Sequence, residues 1–300
     1  MPEPTLNYVT CPGPDGGHRM AYWAWGHPAA SQLVVCVHGL ARQGRDFDTL
    51  AQALVARSGG ALRVVCPDMP GRGRSDWLKD PSLYQIPAYV PAVLALLQQL
   101  GREAPIAALD WVGTSMGGLI GLVVAATPDL PLPSPVRRLV LNDVGPVVQW
   151  EALQRIGGYL GRFGRYPTVE AGAQALREIS QSFGPHSDAQ WLALSRPMLR
   201  PLPEGDWTLH YDPAIALPVR ALTPEAAAQA EASVWALYDR LAAPTLLLRG
   251  AESDLLSPAT ALAMTQRGPR AALVEFAGVG HAPTLVAQDQ VDAVCSFLLP

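Results

Sequence analysis

The segment Gly113-Thr114-Ser115-Met116-Gly117 has the residue types and spacing of a nucleophile turn. A serine held on a sharp strand-to-helix turn has strained backbone angles. It needs small neighbours two residues to either side, which the two glycines provide. The following helix N-terminus favours charge that develops at the hydroxyl. A serine hydroxyl is a poor nucleophile near neutral pH and needs a base. Of the six histidines only His281, in Gly278-Val279-Gly280-His281, follows the last strand-like run. Chain order Ser, acid, His then points to the loop Arg249-Gly250-Ala251-Glu252-Ser253-Asp254 for the carboxylate that fixes the imidazole tautomer. Asp254 is the expected acid, with Glu252 and Asp143 as the other candidates. An oxyanion would need two backbone N–H donors, and Met116 and Leu40 are expected to supply them. His38 is expected to brace the Leu40 loop. Arg42, Trp150, Trp207 and Tyr211 are candidate substrate contacts, as are Phe163 and Trp191.

These groups lie far apart in the chain, so a framework must gather them. Short apolar runs at 33–37, 62–66, 106–111, 136–141, 245–248 and 272–276 do not alternate polar with apolar residues. Strands buried on both faces of a parallel sheet look like this. Amphipathic spacing falls between them, as in Phe47, Leu50, Ala51, Leu54 and Val55, or Val90, Val93, Leu94 and Leu97. Met116, Leu119, Ile120, Val123 and Val124 form a third such face, and Val291, Val294 and Phe297 a fourth. The alternation predicts an α/β fold, a mostly parallel central sheet covered by helices on both faces. An N-terminal hairpin is expected from 6–10 and 19–25, with turn chemistry over 12–17. From 145 to 225 no strand is evident, and helical patterns cover 150–163, 169–183 and 188–199. We expect a core domain from 1–145 and 226–300, with 146–225 a helical cap inserted over the strands' carboxyl ends.

Composition narrows the field. The chain is 49% hydrophobic and 16% charged, with a formal net charge of -4. That balance suits a large buried core and gives no electrostatic attraction for nucleic acid or an anionic membrane. Neither a secretory signal nor a stretch long enough to span a bilayer is evident, so a cytoplasmic location is expected. Cys11, Cys36, Cys66 and Cys295 form no Cys-x-x-Cys pair and read as buried thiols. Gly71-Arg72-Gly73-Arg74-Ser75-Asp76 lacks the third glycine of a dinucleotide fingerprint, and the nucleophile turn lacks the lysine of a phosphate loop. No cluster has metal-ligand spacing.

Taken in order, His38-Gly39-Leu40, Asp68-Met69-Pro70-Gly71-Arg72-Gly73-Arg74-Ser75, Gly113 to Gly118, Asn142-Asp143-Val144-Gly145-Pro146, Ser253-Asp254 and Gly280-His281 resemble the α/β-hydrolase superfamily over nearly the whole chain. Within it the chain looks most like bacterial esterases and enol-lactonases. The resemblance implies a serine hydrolase that cleaves a small carboxylic ester through an acyl-enzyme, with neither metal nor organic cofactor. Haloalkane dehalogenases and epoxide hydrolases carry Asp at the position of Ser115. Hydrolases that cut carbon–carbon bonds usually have Asn before the serine and Trp after the histidine, where this chain has Thr114 and Ala282. A C–C hydrolase or lactonase on the same triad is the alternative within the family. An acyltransferase and a catalytically silent binding protein are the others.

Overall fold

The computed structural model describes residues 3–13 and 16–299; positions 14 and 15 of the expected 12–17 turn lie outside the described residues. Strands β1 (Thr5–Cys11) and β2 (His18–Gly26) pair antiparallel, as the hairpin pattern predicts. Then come β3 (Gln32–Val37), α1 (Asp48–Arg57), β4 (Leu62–Pro67), α2 (Ile86–Glu103), β5 (Ala108–Thr114), α3 (Met116–Ala126) and β6 (Val136–Asn142). After an inserted segment the alternation resumes with α8 (Pro224–Tyr238), β9 (Thr245–Gly250), α9 (Pro258–Gln266), β10 (Ala272–Phe276) and α10 (Gln288–Leu298). One eight-stranded sheet runs in the order β1-β2-β4-β3-β5-β6-β9-β10, and from β4 onward every neighbouring pair is parallel.

The continuous apolar runs form strands because both faces are covered. Along β3, Leu33, Val35 and Val37 enter one core with Leu96, Leu97 and Ile120 from α2 and α3. Val34 and Cys36 enter the other with Leu50 and Leu54 of α1 and Val291 and Val294 of α10. The period of two in a strand divides its side chains between the two layers. All four cysteines are buried and free.

The insertion contains α4 (Trp150–Tyr159), α5 (Val169–Ile179), α6 (Asp188–Ser195), β7 (Leu199–Pro201), β8 (Trp207–Leu209) and α7 (Ala216–Ala221). The expected helices are present but shorter: the first ends at Tyr159, and the second and third are followed by 3-10 turns at Gln181–Phe183 and Arg196–Met198. The ribbon β7–β8 is not evident in the sequence, because three-residue strands are too short to show a period. Nor is α8, an alanine-rich helix of which only Tyr238 is fully buried.

Candidate active site

Register explains why the site sits where it does. Thr114 at the end of β5 pairs with Asn142 at the end of β6, so Ser115 and Asp143 leave the sheet side by side. Gly113 pairs with Val37 of β3, which brings the loop His38–Leu40 alongside. All three loops leave the carboxyl ends of adjacent parallel strands, the edge where open α/β sheets bind ligands.

Ser115 has φ 51° and ψ −116°, a left-handed backbone for a non-glycine residue. The flanking glycines permit it. A Cβ on Gly113 would meet the backbone of Gly117 and Gly118, and one on Gly117 would meet the carbonyls of Val37 and His38. The Ser115 N–H is held by the Asn142 carbonyl at 2.9 Å. Ser115 Oγ lies 3.1 Å from His281 Nε2. His281 Nδ1 lies 2.7 Å from Asp143 Oδ2. Asp143 is fully buried. Its Oδ1 accepts from the Gly250 N–H at 2.9 Å, and its Oδ2 also accepts from Ser253 Oγ at 2.6 Å. A carboxylate with these donors remains an acceptor, so the imidazole proton belongs on Nδ1 and the Nε2 lone pair faces the serine hydroxyl.

The carboxylate that the structure brings to His281 is Asp143 and not the expected Asp254. Asp254 is half-exposed and pairs with Arg155 of α4, at 2.8 Å from Nε and 2.9 Å from Nη2. The loop after β9 turns Ser253 inward, against Asp143, and sends Asp254 out. Asp143 follows the strand next to the serine's own strand, whereas β9 is one strand further away. That adjacency belongs to the folded sheet, and nothing in the spacing of the sequence favours Asp143 over Asp254. Glu252 is exposed.

His38 is fully buried. Nδ1 donates to the Gly39 carbonyl at 2.7 Å, and Nε2 accepts from the Met69 N–H at 2.9 Å. Burial pushes its pKa down to about 3, so the ring stays neutral and keeps both bonds. The Gly39 carbonyl also accepts from the Arg42 N–H at 3.1 Å. Carbonyl and N–H point in opposite directions across a trans peptide, so these two bonds aim the Leu40 N–H away from them. The Met116 N–H opens α3 and has no intrahelical acceptor. Among the described residues neither N–H donates to a protein group.

A pocket of about 130 Å³ contains Ser115 and His281, and Gly39, Leu40, Arg42 and Thr114 line its floor. The insertion contributes Ile156, Tyr159, Leu160, Leu176, Phe183 and Tyr211. Of the expected substrate contacts Arg42 and Tyr211 are in the lining, while Trp150, Trp207, Phe163 and Trp191 are not. Trp207 belongs to β8 and exchanges backbone bonds with Tyr166. Trp191 packs inside the insertion, its Nε1 donating to the Ala173 carbonyl. Arg42 is occupied, with Nε 2.6 Å and Nη2 2.8 Å from the Asp46 carboxylate. The insertion also touches the histidine loop: Ser182 Oγ donates to the His281 carbonyl at 3.0 Å, and the Gly280 N–H donates to the Ser182 carbonyl at 2.6 Å. Three larger depressions among the described residues, of about 530, 560 and 800 Å³, are lined by neither Ser115, His281 nor Asp143.

The family model for the alpha/beta hydrolase fold matches residues 32–287. The chain belongs to the α/β-hydrolase fold family. This α/β hydrolase is 48% identical over 298 residues to a 3-hydroxybutyrate-oligomer hydrolase of Cupriavidus necator, covering 98% of each chain. It is 28% identical over 288 residues to an sn-1-specific diacylglycerol lipase of Mus musculus, covering 90% of this chain and 82% of the relative. A crystal structure of an α/β hydrolase from Novosphingobium aromaticivorans superposes with a TM-score of 0.82 at 37% identity, covering 99% of both chains. Among the described residues of this hydrolase no helix is long and apolar enough to cross a membrane, and no group of three or more His, Cys, Asp or Glu residues could hold a metal ion.

Proposed function

We propose that this chain is a serine esterase that hydrolyses short carboxylic esters through an acyl-enzyme on Ser115. The observation that carries the reading is the unbroken relay from Asp143 through His281 to Ser115, at 2.7 and 3.1 Å. Ser115 Oγ attacks the ester carbonyl while His281 Nε2 takes its proton. Asp143 holds the tautomer and stabilises the imidazolium. The N–H groups of Leu40 and Met116 receive the oxyanion. His281 returns the proton to the leaving alcohol, and water then repeats the cycle on the acyl-enzyme. In this reading residues 146–225 form a cap over a core of 1–145 and 226–300. The insertion's share of the pocket lining supports that division, as does the packing of α8 on α3.

The substrate class we propose is an ester carrying a free carboxylate, such as a short oligomer of a hydroxy acid. The name of the 48% identical relative supports it. So does the charge of the pocket, whose lining includes Arg42, Arg155 and Arg162 but no Asp or Glu. Arg42 and Arg155 are neutralised by Asp46 and Asp254. Arg162 is exposed, and among the described residues its side chain has no partner. A free guanidinium at a pocket rim suits a carboxylate bidentately.

The test measures hydrolysis of a 3-hydroxybutyrate dimer, its methyl ester, p-nitrophenyl butyrate and a ring-cleavage dienoate by wild type, Ser115→Ala and Arg162→Ala. Ser115→Ala should hydrolyse none of them. Arg162→Ala should raise KM for the free-acid dimer by roughly 5- to 10-fold, equivalent to about 1 kcal/mol, and leave the methyl ester unchanged. Undiminished activity in Ser115→Ala, or turnover of the dienoate alone, would refute the esterase reading. Equal effects on acid and methyl ester would refute the carboxylate reading.

A further inference from the structure

Arg72 is fully buried, and among the described residues no carboxylate pairs with it. Its guanidinium spends its donors on neutral groups. Nε donates to the Leu40 carbonyl at 2.8 Å, and Nη1 to the Pro70 carbonyl and the Tyr89 hydroxyl, both at 2.6 Å. Nη2 faces Met116 Sδ at 3.8 Å. The rings of Tyr84 and Tyr89 lie 5.4 and 5.2 Å from its central carbon. The Tyr84 hydroxyl is itself turned to Asp212, donating to Oδ2 at 2.6 Å. Burying a cation without a counter-ion costs several kcal/mol, and an apolar side chain of similar volume would fill the same space. Stability alone therefore does not account for an arginine here.

The position accounts for it. One guanidinium touches both residues expected to supply the oxyanion donors, Leu40 and Met116. It pins the Leu40 carbonyl just as His38 pins the Gly39 carbonyl, so the two carbonyls flanking the Leu40 N–H are both fixed. Its charge, buried among neutral acceptors and ring faces, is weakly screened. We infer that Arg72 is a positioning residue for the reaction: it holds the Leu40 and Met116 donors in place and sets an unneutralised positive charge behind the oxyanion they receive. This rests on the acyl-enzyme reading above. The effect falls on the tetrahedral intermediate, whose oxygen carries full negative charge, and little on the neutral ester, so it appears in kcat.

The test uses Arg72→Met and Arg72→Lys in the full chain. Kinetics on p-nitrophenyl butyrate are measured beside inhibition by an arylboronic acid, which forms an anionic tetrahedral adduct with the serine, and beside thermal melting. In Arg72→Met, kcat should fall about 30- to 100-fold with KM within about threefold, and boronate affinity should fall by a similar factor. Arg72→Lys, which keeps the charge, should recover kcat to within about tenfold of wild type. A folded Arg72→Met with kcat within threefold, a loss confined to KM, or equal losses in the Lys and Met variants would overturn the inference. If Arg72→Met does not fold, Arg72→Lys decides: parallel falls in kcat and boronate affinity support the inference, and a fall in kcat with unchanged boronate affinity overturns it. A boronate that fails to inhibit the wild type would instead count against the acyl-enzyme reading.

Discussion

Replacing Asp143 with Asn separates the two candidate acids. Asp143 Oδ1 accepts from the Gly250 N–H, so the amide oxygen of an Asn stays on that side. Its NH2 then occupies the place of Oδ2, facing His281 Nδ1 and Ser253 Oγ. A donor there forces the imidazole proton onto Nε2, where it meets the Ser115 hydroxyl and leaves no lone pair to accept a proton. The same tautomer switch in the chymotrypsin-type triad lowers kcat about 10⁴-fold, or about 5.5 kcal/mol of barrier. Asp254→Asn breaks only a half-exposed pair with Arg155, worth about 0.2–1 kcal/mol, so kcat should change less than roughly fivefold. Steady-state hydrolysis of p-nitrophenyl butyrate by both variants, with melting curves to confirm folding, provides the comparison. Asp254→Asn losing as much as Asp143→Asn, or Asp143→Asn keeping more than a tenth of wild-type kcat, would refute this assignment of the acid.

Two further outcomes follow from burial and close approach. His38 has a folded pKa of about 3 against 6.5 for a free histidine, so between those pH values the unfolded chain binds a proton that the folded one refuses. Stability is therefore lost as pH falls from about 6.5 toward 3, by up to roughly 4 kcal/mol. Asp68, raised by burial from 3.8 to about 6, works in the opposite sense over about pH 6 to 4, and His210, lowered by burial to about 4, works in the same sense as His38. Urea unfolding from pH 7 to 4 should show a flatter acid limb in His38→Asn; an equally steep one would rule out His38 as the cause. Gly117→Ala sets a methyl against the Val37 and His38 carbonyls and should cost about 3 kcal/mol or more. Gly158→Ala, on an open face of α4, should instead stabilise by about 0.5–1 kcal/mol, and thermal melts of the two distinguish local crowding from a general effect of alanine.

The sequence alone determined the sheet, because strands buried on both faces cannot alternate polar with apolar residues and so announce themselves. It also determined where the serine turn lies, since the close approach at 113 and 117 leaves no room for a Cβ and so requires glycine, and it left His281 as the histidine beyond the last strand. Which carboxylate meets that histidine was decided only by tertiary structure. Asp143 and Asp254 both follow strands, and their types and spacing do not tell them apart. Strand order does: β6 lies against the serine's strand and β9 lies beyond it, and that order is a property of the packed sheet. The pocket walls were beyond reach for a similar reason. An aromatic residue in the insertion can face the pocket or the insertion's own core. Tyr211 lines the pocket while Trp191 and Trp207 do not, because the docking of short helices and a three-residue ribbon carries no periodic signal along the chain. Arg72, within a motif that reads as a failed nucleotide loop, shows its neighbours only when the chain has folded around it.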